Sequence, residues 1–257
     1  MAEEVLKIDK LTKIYDFEGT DINVVLEDVS FSLYGGETLG IIGESGSGKS
    51  ILARCIGARG RPTSGKIILM GENITKKKMK FLVKRTQRKI QTIFQVPNQS
   101  FELDTTIGKC ILDALKTAGV KGDEAKKKVN EMLETVGLDP DCANMFPYEV
   151  SGGQCQRAAI AKALSVNPKV MIFDEALSSL DASSQINIME LLKREKEKRG
   201  MSYLFISHDM KLVEQMCDRV LVLKKGKIVE QGDTGKILYH PDDPYTKELV
   251  NMLKAEK

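Results

Sequence analysis

The chain has 257 residues, 42% of them hydrophobic, and a formal net charge of +3 at pH 7. This length and apolar content predict one domain with a substantial core, near the size at which chains divide into several domains. The small net charge does not support a nucleic-acid-binding protein, for which a clustered basic face is expected. The five cysteines form no Cys-x-x-Cys pair with a nearby histidine, which argues against a zinc site and for a reducing compartment.

The N-terminus and the hydropathy of the chain predict its location. Residues 1–4, Met-Ala-Glu-Glu, are acidic and lack the basic start and apolar core of a signal peptide. No apolar run approaches the roughly 20 residues that span a bilayer. We therefore expect a cytoplasmic chain that reaches a membrane only through a partner protein.

The first part of the chain carries strand signals. Apolar residues alternate with serines over residues 29–33, which predicts a strand with one buried face. Residues 39–42 are apolar on both faces, as expected of a strand inside a sheet, and they lead into a glycine-rich loop and a helix beginning near Lys49. Residues 64–70 predict a further short strand at a sheet edge, with a turn at Gly71-Glu72-Asn73.

From about Val96 to Leu164 the apolar spacing becomes helical. It predicts one helix around residues 107–115 and another around residues 129–136, the second ended by Gly137 and Pro140. Strand signals then resume in the order strand 170–173, helix 182–198, strand 203–206, strand 220–223 and strand 228–229. Strands that alternate with helices predict an α/β fold with a mostly parallel sheet, into which the helical segment is inserted.

The glycine-rich loop matches the complete G-x-x-x-x-G-K-S pattern of a phosphate loop, between a buried strand and a helix. Its residues are Gly43, Glu44, Ser45, Gly46, Ser47, Gly48, Lys49 and Ser50. Glycines let the backbone turn its N–H groups toward phosphate oxygens, and the helix start adds its positive dipole end. We expect Lys49 to reach the β- and γ-phosphates and Ser50 to bind Mg²⁺, with Ile51 beside them at the nucleotide. The alternative is a glycine-rich turn without a ligand.

Two adjacent acids, Asp174 and Glu175, close the apolar strand at residues 170–173. They should emerge at the carboxyl edge of the sheet, where open α/β folds bind ligands. We expect Asp174 to hold Mg²⁺ and Glu175 to orient or deprotonate the water that attacks the γ-phosphate. The alternative is a solvated strand end.

A third motif follows the helical segment: Ser151-Gly152-Gly153-Gln154, with Gln156-Arg157 after it. With the phosphate loop and the acid pair, it resembles the ATP-binding cassette ATPases, and the resemblance covers nearly the whole chain. In that family the turn begins a helix and donates its Ser hydroxyl and Gly amides to the γ-phosphate held by the opposite subunit. A Ser at a helix start with free amides is an anion-binding end, although it is also an ordinary helix cap.

The resemblance implies further site residues. Gln95 is similar to the glutamine that contacts Mg²⁺ and water and links the core to the helical lobe. Ser179-Leu180-Asp181 resembles the loop that crosses the dimer interface, and His208 resembles the histidine that contacts the γ-phosphate. Tyr15 resembles the aromatic residue that stacks on adenine, with packing inside the lobe as the alternative.

The resemblance also implies the architecture. The expected fold is a P-loop NTPase (RecA-like) core with an N-terminal antiparallel β subdomain and an inserted α-helical subdomain at about 96–164. The whole chain, 1–257, would be a single ATPase domain ending in a tail at about 236–257. ATP and Mg²⁺ are the implied ligands.

Two segments narrow the resemblance to the peptide and nickel importers. The tail carries His240-Pro241 and then Pro244-Tyr245-Thr246, as that branch does, and residues 94–101 resemble its segment after the glutamine. Val96 and Phe101 depart from the usual Asp and Leu; because residues 94–101 face the membrane subunits in the family, these two departures affect the solute assignment more than catalysis. Ala176 stands where most relatives have Pro, although an Ala there resembles the nickel-type members.

The branch implies a peripheral protein on the cytoplasmic face of the cell membrane. Its partners would be a second ATPase subunit, identical or related, integral permease subunits and, through them, an extracytoplasmic solute-binding protein. No nucleic-acid partner is expected. The alternatives are an exporter ATPase, which shares every catalytic residue, and a soluble cassette protein acting on nucleic acid or ribosomes, whose usual tandem cassettes, coiled coil and zinc-binding cysteines this chain lacks.

Two features allow two interpretations. Cys155 stands where a long polar residue is usual; a thiol at a helix start is either reactive, through a lowered pKa, or a tolerated small residue. The basic run over residues 76–89 predicts a solvated surface helix, with attraction to an anionic membrane face as a secondary role and nucleic-acid binding as the alternative.

Overall fold

A computed structural model describes residues 3–17, 21–75, 86, 88–178 and 180–255. The strands are β1 Glu4–Phe17, β2 Asp21–Tyr34, β3 Thr38–Ile42, β4 Ser64–Leu69, β5 Glu72–Asn73, β6 Ile90–Phe94, β7 Val170–Asp174, β8 Ser202–Ile206, β9 Arg219–Lys224 and β10 Lys227–Asp233. The helices are α1 Lys49–Ile56, α2 Ile107–Thr117, α3 Gly122–Thr135, α4 Gly152–Ser165, α5 Ala182–Arg199, α6 Met210–Met216, α7 Thr234–Tyr239 and α8 Pro244–Ala255. Most of the basic run at residues 76–89 and Ser179 lie outside the described residues.

A small antiparallel sheet forms the N-terminal part, with strand order β2-β1-β4-β5. Val29, Phe31 and Leu33 are buried as the alternation predicts. The strand predicted at residues 64–70 is present as β4, but its predicted position at a sheet edge was wrong, because β4 lies between β1 and β5. The expected turn residues Glu72 and Asn73 form that edge themselves: they pair with Leu69 and Ile68 in a tight hairpin.

The larger sheet has the order β10-β9-β3-β8-β7-β6, and the pairs from β9 to β6 are parallel. Strands β3, β7 and β8 are buried along their whole length, as their continuous apolar sequences predict. The register aligns Phe94 with Asp174, and Asp174 with Ile206. The residues that follow these three positions therefore meet at one edge of the sheet, next to the loop that leaves β3.

The segment between β6 and β7 is helical. Helices α2, α3 and α4 pack on one another around buried apolar side chains that belong to the main core. Helix α2 contains the apolar positions predicted around residues 107–115, and α3 ends one residue before Val136, close to the predicted stop. None of the helices in the described part of the chain is both long and apolar enough to cross a bilayer.

Candidate functional site

The aligned strand ends bring several of the expected residues to one edge of the sheet. Gln95 directly follows Phe94, and Glu175 directly follows Asp174. His208 stands two residues beyond Ile206, and the Ile206 carbonyl accepts a hydrogen bond from the Glu175 amide at 3.0 Å. Because parallel strands end on the same side, residues far apart in sequence converge on the phosphate loop.

Lys49 lies inside the phosphate loop rather than in solvent. It is buried, and its Nζ donates to the carbonyl oxygens of Gly43 at 2.7 Å and Glu44 at 2.8 Å. Burial lowers the pKa of this amine, while the nearby Glu175, Asp174 and Glu44 carboxylates oppose the shift. A cation held in this way is positioned to meet phosphate oxygens at the loop.

Two loop glycines are required by the backbone of this chain. A Cβ at Gly43 would stand 2.2 Å from the Leu223 carbonyl oxygen. Gly48 has a φ of 108° and leads into α1, and a Cβ there would stand 2.9 Å from the Val25 carbonyl oxygen. Larger residues would displace the loop from the strands that hold it.

Ser50 and Asp174 bring two oxygen-bearing side chains together beside the phosphate loop. The Ser50 hydroxyl donates to Asp174 Oδ1 at 2.9 Å, although the two residues are 124 positions apart in the sequence. Burial raises the pKa of Asp174, and Glu175 adds to the shift, while the Ser50 hydrogen bond opposes it. A hard divalent cation prefers such oxygen ligands and would compensate the buried negative charge, so Mg²⁺ fits these residues. The described residues hold no cluster of three or more His, Cys, Asp or Glu for a metal, so phosphate and water would have to complete its coordination.

Glu175 and His208 face each other beside this pair. His208 Nδ1 lies 3.6 Å from Glu175 Oε2, with His208 half-exposed and Glu175 partly buried. Glu175 has a φ of 52°, which a non-glycine residue rarely adopts. Its carbonyl accepts hydrogen bonds from the Ser178 hydroxyl at 2.7 Å and the Ser178 amide at 3.3 Å, which hold this backbone conformation. Strained backbone of this kind is common at functional sites.

Gln95 is exposed at the end of β6, and a second glutamine secures the backbone beside it. Gln156 is fully buried in α4, and its Nε2 donates to the carbonyls of Ala176 at 2.7 Å and Phe94 at 3.4 Å. It thereby connects the first turns of α4 to the residue after Glu175 and the residue before Gln95. The sequence predicted no role for Gln156, and its one signal was a polar side chain shortly before the alanine-rich part of the helix.

Residues 151–154, Ser-Gly-Gly-Gln, are named the signature turn, and they begin α4 in a closed capping box. The Ser151 hydroxyl accepts from the Gln154 amide at 3.2 Å, and Gln154 Oε1 accepts from the Ser151 amide at 2.9 Å. Within the described residues neither side chain bonds to the phosphate loop. A Cβ on exposed Gly152 would have no neighbour within 4 Å, and one on Gly153 would make only an ordinary contact with Leu180. The glycine at position 152 is therefore not required by packing within this chain.

Asp181 caps the next helix, α5, close to the signature turn. Its carboxylate accepts from the Ser184 amide at 2.9 Å and the Ser183 hydroxyl at 2.6 Å. These hydrogen bonds, with Ser183 as the largest cause, lower the pKa of Asp181. The residue is exposed, as an interface loop requires, while Ser179 lies outside the described part.

Tyr15 lies on β1 in the antiparallel sheet, with its ring partly exposed. The Lys13 ammonium stands 4.6 Å from the ring centroid, so the ring already takes part in a cation–π contact. An exposed ring face suits stacking on a base. The assignment of Tyr15 to adenine stays a prediction.

Cys155 is buried beside the signature turn. Its Sγ donates to Asn98 Oδ1 at 3.3 Å, in the segment after Gln95. Burial raises the pKa of this thiol to about 11, so it is protonated at neutral pH. The structure therefore favours the interpretation of Cys155 as a tolerated small residue over a reactive thiol.

The tail also contacts the phosphate loop, which sequence reasoning did not anticipate. The Tyr245 hydroxyl accepts a hydrogen bond from the Glu44 amide at 3.4 Å. Tyr245 is buried, and the Lys224 ammonium lies 4.2 Å from its ring centroid. The only sequence signal was the Pro-Tyr-Thr motif itself, which indicated a branch and not a contact.

Known proteins resemble this chain over most of its length. The oligopeptide transport ATP-binding protein OppF of Bacillus subtilis (strain 168) is 40% identical over 256 residues, which cover 98% of this chain and 83% of OppF. The glutathione import ATP-binding protein GsiA of Salmonella paratyphi A is 44% identical over 226 residues, which cover 88% of this chain and 36% of GsiA.

Solved structures and a family model agree with these relatives. The ATP-binding cassette MJ0796, solved as a dimer in a post-hydrolysis state with ADP and Pi, has a TM-score of 0.81 and 29% identity and covers 89% of this chain and 98% of its own. The family model described as ABC transporter matches residues 26–178, more than half of the chain. With the phosphate loop, the acid pair and the signature turn placed as described, the chain belongs to the ABC transporter family, as an ATPase whose ATP hydrolysis is coupled to transport.

Proposed function

We propose that this chain is the Mg²⁺-dependent ATPase subunit of an importer for peptides or for nickel and other metal chelates. The observation that carries the proposal is the convergence of Lys49, Ser50, Asp174, Glu175 and His208 at one sheet edge, with the Ser50 hydroxyl 2.9 Å from Asp174 Oδ1. Two of the relatives are an oligopeptide transport ATP-binding protein, OppF, and a glutathione import ATP-binding protein, GsiA, and these names favour a peptide over a metal chelate as the solute.

Each residue at the edge has a separate task in this proposal. The loop amides and Lys49 bind the β- and γ-phosphates, while Ser50, Asp174 and Gln95 hold Mg²⁺, which neutralises charge on the phosphates when bound. Glu175 accepts a proton from the attacking water, and the oxygen of that water bonds to the γ-phosphorus as the bond to ADP breaks. His208, 3.6 Å from Glu175, donates to the γ-phosphate and keeps the carboxylate oriented.

The signature turn serves a second chain in this proposal. Ser151 and Gln154 are exposed and bond to each other, and Gly152 has open space where a side chain would fit. A glycine inside the first turn of a helix costs stability, and close approach to another molecule is a reason for a glycine at such a position. We assign that molecule as the nucleotide on a second ATPase subunit, identical or related, with Asp181 beside it at the interface.

The membrane partners belong to the proposal as well. Permease subunits would contact the helical region, and through them the chain would serve an extracytoplasmic solute-binding protein from the cytoplasmic face of the membrane. A cavity of about 290 Å³ at the junction of β6, α2 and α4, with Arg59, Glu102, Asp113 and Lys162 among its lining residues, supports contact with a charged segment there. The chain would act as a single domain over 1–257, with the helical subdomain at about 96–164 and the tail at about 236–257.

Substitution of the proposed base tests this function. Glu175→Gln removes the proton acceptor and keeps the size of the side chain, so ATP should still bind while the turnover rate falls by at least about 100-fold. Steady-state ATP hydrolysis and equilibrium nucleotide binding measure the two effects. Glu190→Gln, at an exposed glutamate on α5, is the control and should hydrolyse normally. Undiminished turnover by Glu175→Gln would contradict the assignment of the base.

A further inference from the structure

We propose that Tyr245 is a positioning residue for the phosphate loop, so that the tail sets the affinity for nucleotide. The proposal rests on the ATPase function proposed above. It gives a role to the Pro244-Tyr245-Thr246 motif, which none of the catalytic steps uses.

The geometry joins the tail to the lysine of the loop through a single peptide group. The amide N–H between Gly43 and Glu44 donates to the Tyr245 hydroxyl at 3.4 Å. The carbonyl of the same peptide group, on Gly43, accepts from Lys49 Nζ at 2.7 Å. Tyr245 and Lys49 therefore hold this peptide from its two ends, and the tyrosine restricts its rotation.

The Tyr245 ring is fixed at the root of the loop. The ring is buried, with the Lys224 ammonium 4.2 Å from its centroid at the end of β9. The neighbouring Leu223 carbonyl packs so closely on Gly43 that a Cβ there would stand 2.2 Å away. Burial raises the pKa of the Tyr245 phenol, which keeps the hydroxyl neutral.

The start of α8 is secured to the sheet, so the hydroxyl is held in place. Glu230 on β10 accepts hydrogen bonds from the amides of Asp242 at 2.8 Å and Asp243 at 3.2 Å. Asp243 Oδ1 in turn accepts from the amides of Tyr245 at 2.8 Å and Thr246 at 3.1 Å, as an N-cap does. A continuous series of contacts thus runs from β10 through the turn at residues 242–243 and the start of α8 to the phosphate loop.

The consequence is a defined effect on nucleotide binding. The loop contacts the β-phosphate, which ATP and ADP share, so the tyrosine should support the binding of both nucleotides and should not affect the chemical step. A side chain that acted only on hydrolysis would change kcat. A side chain that acted only on folding would change neither the KM for ATP nor the Kd for ADP of the folded protein.

Tyr245→Phe in the full-length chain tests the proposal. It removes the hydroxyl and keeps the ring, so the KM for ATP and the Kd for ADP should each rise by about two- to fivefold, with kcat within about twofold of wild type. Hydrogen exchange of the amides over residues 43–49, measured without nucleotide, should become faster. Tyr239→Phe is the matched control: it removes a tail hydroxyl that bonds to Glu214 and not to the phosphate loop, and it should leave KM, Kd and exchange unchanged.

A Tyr245→Phe protein with wild-type KM, Kd and amide exchange would overturn the proposal, as would a fall in kcat with KM unchanged. If Tyr245→Phe folds poorly, Glu230→Gln tests the proposal in its place. It weakens the hydrogen bonds that hold the start of α8 on β10 and leaves the buried ring unchanged. It should raise the KM in the same direction, and an unchanged KM would overturn the proposal. If the wild-type protein did not hydrolyse ATP at all, that result would contradict the proposed ATPase function and not the role of Tyr245.

Discussion

The phosphate loop and the signature turn both place backbone amides at the start of a helix, yet they differ in how their glycines are used. In the loop, Lys49 and Ser50 already bond to atoms of this chain, and the backbone itself requires glycine at Gly48. In the signature turn, the Ser151 side chain bonds only within its own capping box, and Gly152 has no neighbour within 4 Å. Packing within this chain therefore requires glycine in the loop but not at position 152 of the turn, which is the difference expected if the turn serves a second chain.

The largest loss of ATP hydrolysis is expected from a substitution of Asp174, which lies beside the phosphate loop. Asp174→Asn should reduce Mg²⁺-dependent hydrolysis by at least about 100-fold, because the metal loses a charged ligand. The same change should stabilise the protein at neutral pH. Burial raises the pKa of Asp174 above its unfolded value, so the ionised form costs stability once the pH rises through the folded pKa.

Thermal unfolding without nucleotide checks this prediction. The midpoint of Asp174→Asn at pH 7 should exceed that of wild type by about 2 °C, with the difference vanishing in acid, where the wild-type carboxyl is protonated. A lower midpoint at pH 7 would show that Asp174 is structural and not held for a ligand.

Gly152→Ala addresses the signature turn. A Cβ meets nothing there in this chain, so the midpoint should be unchanged or slightly raised, since alanine favours a helix by about 0.5–1 kcal/mol. Hydrolysis should nevertheless fall by about tenfold or more, because the methyl group blocks the partner's nucleotide. Gly235→Ala, at a glycine of α7 that is equally free of neighbours, is the control for the helix effect and should keep full activity.

Gln156 joins the two regions, and a smaller effect is expected there. Gln156→Met leaves the buried carbonyls of Phe94 and Ala176 without this donor, which should cost about 1–3 kcal/mol of unfolding free energy. Turnover should fall several-fold with ATP binding retained, because the backbone next to Gln95 and Glu175 is no longer hydrogen-bonded to α4. Chemical denaturation and nucleotide titration measure both effects; Gln185→Met, which removes a single contact to Leu177, should cost less.

The parts of the structure that the sequence predicted are those with a local signal. The buried strand β3, the phosphate loop and the helix after it follow from a continuous motif, and β7 with Asp174 follows from an apolar run ended by acids. The meeting of Gln95, Glu175 and His208 at one edge needed only the rule that parallel strands end together.

The rest depends on contacts that no local pattern encodes. Tyr245 and Glu44 are 201 residues apart, and their hydrogen bond depends on how the tail folds back over β9 and β10. The pKa of Cys155 follows from burial, which its position at a helix start did not reveal. The sequence predicted a turn and not a strand at Glu72–Asn73, because a two-residue strand leaves no periodicity to detect.

The central claim is that the signature turn completes the nucleotide site of another chain. A mixture of two inactive variants tests this claim most directly. Ser151→Arg retains its own phosphate loop and base, while Glu175→Gln retains its own signature turn. ATP hydrolysis should be lost in each variant alone and return when they are mixed, to about a quarter of wild type, since about half of random pairs are mixed and each holds one intact site. Thr106→Arg, at the cap of α2, should hydrolyse normally. Wild-type turnover by Ser151→Arg alone would contradict the shared site.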